Sequence, residues 1–273
     1  MERQIYDKKF HNALEDHLRH LLKVVSEVGY SDWEHITEQS LKHSGHKNVQ
    51  RKKGSHAPGT DVRADDGNIA NKTTKYDPIR RNKRFKKKVV LCKQNAFVEI
   101  SNYRTQCAIK VFPALPEIDA KVKYISSIHY DYIGLLVQQE DLIENCLRLY
   151  VYWIEAKVLK VPSAKNWEKT YGKSGNHNGY ITKNADKSNI HHKITFTQSH
   201  QLWHYIKRDF FDSIANDPED ARITKLVEME VPFNKLGCDF SYRDDLQLPH
   251  GFPYIDVFQN GSSFLWEPSI ICA

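Results

Sequence analysis

Between residues 4 and 28 the apolar side chains Ile5, Phe10, Leu14, Leu18, Leu21, Leu22, Val25 and Val28 recur at helical spacing, with polar residues on the opposite face. Gly29 predicts the end of that helix. Ser31-Asp32-Trp33-Glu34 then reads as a capping box opening a second helix toward Leu41, the serine accepting from a first-turn N–H and Glu34 reaching back. The alternative gives Glu34 to a metal site as an acid supplied by a neighbouring helix; the cap is the preferred reading. Residues 43–59 are polar and rich in Gly, His and Lys, the pattern of a loop.

From 56 to 75 the period changes from helical to alternating. Asp66-Gly67 suits a two-residue hairpin turn, which pairs Asp65 with Asn68, Arg63 with Ala70, and Asp61 with Lys72. Asp61, Arg63, Ala70 and Lys72 then share one face, while Val62, Ala64 and Ile69 turn to a core. Residues 96–105 predict a strand, a helix follows from Pro116 with Ile118, Val122 and Ile125 on one side, and 130–138 predicts a buried strand. A crossover of that length favours parallel pairing of the two strands. Residues 147–154 predict a further strand, ending in Glu155-Ala156-Lys157. Residues 163–193 are dominated by Ser, Asn, Gly, Lys and His, and read as a segment without a core of its own, disordered or ordered by a partner. A strand over 193–203 and a helix through Phe211 restore the fold, and the tail from 226 to 273 carries aromatic, strand-like pieces split by Pro232, Pro249 and Pro253. No internal repeat occurs. The fold class expected is α/β in the broad sense (α+β), a mixed central β-sheet flanked by helices.

A chain of 273 residues can bury a full core unaided. No apolar run approaches a membrane span, and Met1-Glu2-Arg3-Gln4 is not the start of a secretory signal, so a soluble protein with no membrane partner is expected. Cys92, Cys107, Cys146, Cys238 and Cys272 are odd in number and contain no Cys-X-X-Cys pair, which points to reduced thiols in a cytoplasm and away from structural zinc. The net charge of +6 is local: Arg80, Arg81, Lys83, Arg84, Lys86, Lys87 and Lys88 supply seven positive charges within nine residues. Such a patch suits phosphate contacts; its plain alternative is a solvated loop. In the polar segment, Lys173, Asn176, His177, Asn178 and Lys187 offer hydrogen bonds to phosphates and base edges. His191 and His192, adjacent on an extended segment, point to opposite faces and make a poor metal pair.

An aspartate at the start of one strand with a lysine opposite it is the skeleton of a magnesium-dependent phosphodiesterase site. The carboxylate holds a hard cation, and the lysine orients water or offsets developing charge. In Gly59-Thr60-Asp61 and Ala70-Asn71-Lys72 the chain resembles the PD-(D/E)XK nucleases, in particular type II restriction endonucleases, with Ala70 where the motif has its second acid. The order helix, hairpin, third strand, helix, fourth strand is similar to the family's core, and residues 100–104 and 199–203 are weaker likenesses to segments of restriction enzymes. The resemblance implies a restriction-endonuclease-like catalytic core over 1–160 and a DNA-recognition or specificity region over 161–273 packed on it. It implies Asp61, the acid once at position 70 and Lys72 as the catalytic set, and Mg2+ held by Asp61 and that acid. It also implies a homodimer on double-stranded DNA in a prokaryotic cytoplasm. With Ala70 in place, it implies a protein inactive as written, whether by a Glu-to-Ala change or as a naturally inactive relative. A rival site uses Asp131 with Glu155 and Lys157, separated by what reads as a long helical insert. Tyr132-Ile133-Gly134 resembles half of a GIY-YIG signature, but its other half is absent. Two further readings are a sequence-specific DNA-binding protein without catalysis and, less favoured, an RNA-binding protein.

Overall fold

The computed structural model describes residues 7–51, 60–65, 67–76, 97–105, 117–141, 143–196 and 200–237. The basic run Arg80, Arg81, Lys83, Arg84, Lys86, Lys87 and Lys88 and most of the proline-split tail lie outside the described residues.

Asp7 caps α1 (Lys8–Val24) by accepting from the Phe10 N–H at 2.8 Å, and the apolar stripe buries Phe10, Leu14, Leu18, Leu21 and Leu22. The helix ends four residues before the predicted limit because the chain turns extended at Val25. Val28 is held instead by the buried Gln138 amide, which accepts from the Val28 N–H and donates to its carbonyl, each at 2.8 Å. In α2 (Tyr30–His43) the cap differs from the predicted box: Gly29 is the N-cap, and its N–H donates to Asp32 Oδ2 at 3.0 Å. Ser31 already lies in the first turn, so Asp32 does the reaching back and Glu34 stands outside the cap.

The strands, in chain order, are β1 (Gln50–Arg51), β2 (Val62–Ala64), β3 (Gly67–Tyr76), β4 (Phe97–Thr105), β5 (Tyr132–Asp141) and β6 (Cys146–Glu155). Then come β7 (Trp167–Tyr171), β8 (His177–Thr182), β9 (Ile190–Phe196), β10 (His200–Lys207) and β11 (Ile223–Pro232). Helix α3 (Ile118–Ser126) follows β4, and α4 (Arg208–Ala215) follows β10. Six strands form a mixed sheet in the order β1-β2-β3-β5-β6-β11, in which only β3 and β5 run parallel. The other five form an antiparallel sheet, β4-β10-β9-β8-β7. The architecture is therefore α+β, two sheets with four α-helices among the described residues.

One apolar cluster fills the space between α1, α2 and one face of the mixed sheet, through Leu14, Trp33, Ile36, Val62, Ile69, Leu149 and Trp153. Another lies on the opposite face, joining Ala70, Ile133, Tyr152 and Ile154 to Phe211 and Ile214 of α4. The alternation read for the hairpin is thus kept, with Val62, Ala64 and Ile69 buried toward the helices. Its register is not: Val62 pairs with Ile69, Arg63 with Asn68 and Ala64 with Gly67. The shift moves each partner by two positions, which leaves every side chain on its own face.

Three expectations are corrected. The strand near residue 100 does not join the hairpin's sheet; β4 pairs antiparallel with β10 from Phe97↔Lys207 to Thr105↔His200, and the parallel crossover runs from β3 to β5. Residues 163–193 do have a core: Trp167, Tyr180 and Ile194 are buried with Leu202 against Val122 and Ile125 of α3. Gly179 lets β8 lie close to β9, since a Cβ there would run into the Ile194 carbonyl oxygen. Finally, β11 is the edge strand of the mixed sheet, so the tail's first segment belongs to the main sheet rather than to a separate subdomain. No described helix is long and apolar enough to cross a membrane.

Candidate functional site

Asp61 stands just before β2 and Lys72 in the middle of β3, and the antiparallel pairing of those strands brings them together. Lys72 Nζ lies 3.0 Å from Asp61 Oδ2, and the Asn71 N–H donates to the same oxygen at 2.7 Å. Lys72 Nζ also donates to the Asn71 carbonyl at 2.6 Å, which fixes the amine at the edge of the carboxylate. Both bonds land on Oδ2, and Oδ1 has no hydrogen-bond partner among the described residues. The two side chains are about four-fifths buried, with exposures of 21% and 19%, so their attraction is less screened than at an open surface.

Ala70 is fully buried among Ile133, Tyr152, Ile154 and Phe211. Asn71 faces the other way, onto the side of α2, and pairs in register with Gly134 of β5. A Cβ at Gly134 would come within 2.7 Å of Asn71 Oδ1 and 2.8 Å of Trp153 Cζ3, so glycine is what lets the amide and the indole share this space. The Trp33 indole N–H donates to the Gly134 carbonyl at 2.8 Å and pins the first turn of α2 onto this part of the sheet. Trp33→Phe keeps most of the apolar contact and removes the donor, leaving a buried carbonyl unpaired; unfolding by denaturant should show a loss of about 2 kcal/mol. An unchanged midpoint would mean that the bond does not hold α2 in place.

The next residue, Glu34, is the acid that sequence reasoning assigned to the cap. It is partly buried, and burial followed by the nearby Asp61 carboxylate pushes its pKa up to about 7, against the opposing pull of Lys72 and Arg51. One turn further on, Glu38 pairs with Lys42 at 2.7 Å and approaches Arg51 at 3.7 Å. Its position on the helix preceding the hairpin was the one sequence signal that pointed to it.

The rival constellation is arranged differently from its prediction. Strands β5 and β6 are adjacent and antiparallel, joined by a short turn rather than a long helical insert, and Tyr132 pairs with Glu155. The Asp131 carboxylate accepts from the Asn68 N–H at 2.7 Å and its amide at 3.2 Å, which ties β5 to the hairpin. Glu155 pairs with Lys157 at 2.5 Å. These contacts give each group a structural task.

Of the proposed DNA contacts, Lys173 lies in the turn between β7 and β8, closed by the Gly172 N–H bond to the Asn176 carbonyl at 2.9 Å. Lys173, Asn176, Asn178 and Lys187 are exposed. The Asn178 amide meets Thr170 Oγ1 at 2.9 Å. His177 is committed to the fold, with Nε2 2.8 Å from the Gly179 carbonyl and its ring edge-on to Tyr180 and Phe196. His191 stacks on Tyr205, and His192 meets His204, so the adjacent histidines do face apart. Among the described residues, no group of three or more His, Cys, Asp or Glu side chains could hold a metal ion.

Comparisons of the chain with protein-family models, with curated proteins and with solved structures find no match.

Proposed function

We propose that this chain is a magnesium-dependent endonuclease of the type II restriction class, hydrolysing phosphodiester bonds of double-stranded DNA at a short specific sequence. The observation that carries the reading is the meeting of Asp61 and Lys72 at 3.0 Å on a hairpin that continues into a parallel strand. A restriction-endonuclease-like core is the corresponding reading of the mixed sheet with α1 and α2 on one face. The chemistry of the donors suits a hard cation: Asp61 offers a carboxylate oxygen that no described residue bonds, and it is the residue that would hold Mg2+. When bound, Mg2+ polarises a phosphate oxygen and lowers the pKa of its water.

The chain's own groups supply the rest. The Asn71 N–H keeps the Asp61 carboxylate turned toward β3, so its orientation does not depend on the lysine. Lys72, held beside that carboxylate by the Asn71 carbonyl, would orient an attacking water and offset charge on the phosphate in the transition state. The exposed β7–β8 turn with Lys173, Asn176 and Asn178, together with Lys187, offers donors to phosphates and base edges, and the charge of residues 80–88 adds non-specific affinity. A homodimer on a palindromic site follows from the family resemblance.

The test is digestion of a mixed DNA pool with Mg2+, with and without substitutions. Discrete fragments from the chain as written would show a working site in spite of Ala70, and Asp61→Asn or Lys72→Ala should then slow cleavage at least ~100-fold while DNA is still bound. Ala70 favours one other reading, a non-catalytic, sequence-specific DNA-binding protein. Specific binding without any cutting, unaffected by either substitution, would establish it in place of the nuclease.

A further inference from the structure

We infer that Arg63 and Asp131 together read the major-groove edge of one G·C base pair close to the bond that is cut. This rests on the proposed reading of the chain as a DNA endonuclease and specifies one base pair of its target.

The two side chains line an open cleft of about 550 Å3 at the turn end of the hairpin, with Asp65, Gly67 and Asn68. The Asn68 side chain joins them: Arg63 Nε donates to its Oδ1 at 3.2 Å, and its amide nitrogen donates to Asp131 Oδ2 at 3.2 Å. The Asn68 backbone N–H donates to the same Asp131 oxygen at 2.7 Å. One residue thus holds a guanidinium and a carboxylate side by side. Among the described residues the two Nη groups of Arg63 donate to no partner, and Asp131 Oδ1 accepts from none. What remains for a ligand is a fork of donors next to an acceptor.

A phosphate offers acceptors alone, and it would face the carboxylates of Asp65 and Asp131 as well as the guanidinium. The edge of a base pair offers both kinds of group. Across the major groove a G·C pair presents guanine N7 and O6 and then the cytosine N4 amino group, two acceptors followed by a donor. An A·T pair alternates acceptor, donor and acceptor, which sets an amino group against one arm of the fork. The order of groups in the cleft therefore matches G·C. Arg63 also lies two residues beyond Asp61 on the same face of the hairpin, about 7 Å along the strand, the height of two stacked base pairs. A phosphate held at Asp61 brings to the cleft a base pair within about three steps of the cut.

Selection of targets by the full-length protein from a randomised duplex DNA pool, with the bound DNA sequenced, tests the assignment. The unaltered chain should enrich a site with an invariant G·C pair, and fragments cut with Mg2+ should end within about three base pairs of it. Arg63→Ala should bind the selected duplex at least ~10-fold more weakly and accept other pairs at that one position. Replacing that guanine by 7-deazaguanine, which lacks the N7 acceptor, should weaken binding of the unaltered chain ~10-fold and that of Arg63→Ala hardly at all. Asp131→Asn should relax selection at the same position; thermal unfolding shows whether it is folded, since that carboxylate also ties β5 to the hairpin. If Arg63→Ala selects the same site with the same affinity, and 7-deazaguanine is tolerated, the inference falls while the endonuclease reading stands on Asp61 and Lys72. If the unaltered chain enriches no site and cuts no DNA, that reading falls and takes the inference with it.

Discussion

Replacing Ala70 by glutamate is expected to destabilise the protein by about 3 kcal/mol or more, and to create neither tighter cation binding nor faster DNA cleavage. The sequence motif suggests the opposite, since a glutamate there would restore the acid of the family pattern. The expectation follows from the surroundings. Ala70 is wholly buried, packed with Ile133, Tyr152 and Ile154 of the sheet and facing α4 through Phe211. A longer side chain must either leave its carboxylate among apolar groups or displace them. If it instead bent toward Asp61, a third negative charge would join Asp61 and Glu34, and burial and Asp61 already raise the Glu34 pKa. Ala70→Gln separates the two costs: it carries nearly the same volume and no charge, so a smaller loss than for Ala70→Glu would show that charge adds to crowding. Urea unfolding measures both variants. A folded Ala70→Glu protein with raised Mn2+ affinity and newly gained cutting would show that the motif position is the true site of the second acid.

The hairpin shows what could be read from the residues and what could not. The alternation of Val62, Ala64 and Ile69 against Asp61 and Lys72 determines faces, and faces survive a register shift of two, so the approach of Asp61 to Lys72 was legible. The register itself was not, because both placements of the turn satisfy the same alternation. Glu34 was misassigned because Ser-X-X-Glu is a good local cap, whereas the helix begins earlier, with Gly29 as N-cap and its N–H bonded to Asp32 Oδ2. The second sheet escaped for a different reason. In β8 the buried positions are Gly179, Tyr180 and Thr182, too small or too polar to register as an apolar run, and their burial depends on Ile194 and Leu202 from later in the chain. Likewise nothing local told β4 to choose β10 over the hairpin.

That second sheet should also make the protein acid-sensitive. His192 Nδ1 and His204 Nδ1 are 2.7 Å apart, and His204 is completely buried. Burial comes first among the causes that lower both pKa values, with the neighbouring histidine second, and His192 is brought down to about 4. His192 also hydrogen-bonds the Lys160 backbone, which assigns its other ring proton there and leaves Nδ1 to accept from the His204 Nδ1–H. His192 cannot then take a proton on Nδ1 without breaking that bond, and His204 can take one only on its fully buried, unpaired Nε2. In the unfolded chain both titrate near 6.5, so below that pH the unfolded state binds protons that the folded state refuses, and stability falls as pH falls. For His192 the change from 6.5 to about 4 corresponds to about 3 kcal/mol lost between neutral pH and pH 4, and His204 adds a loss of the same sign. His191, lowered mainly by burial and stacked on Tyr205, contributes in the same direction. The double variant His192→Gln, His204→Leu should therefore lose less stability than the unaltered protein over that interval, whatever its stability at neutral pH. Because β7 and β8, which present Lys173, Asn176 and Asn178, are paired onto β9, DNA affinity should fall together with folding as the pair is protonated. Equal loss of stability between pH 7 and pH 4 in the double variant and the unaltered chain would assign the acid sensitivity to other groups.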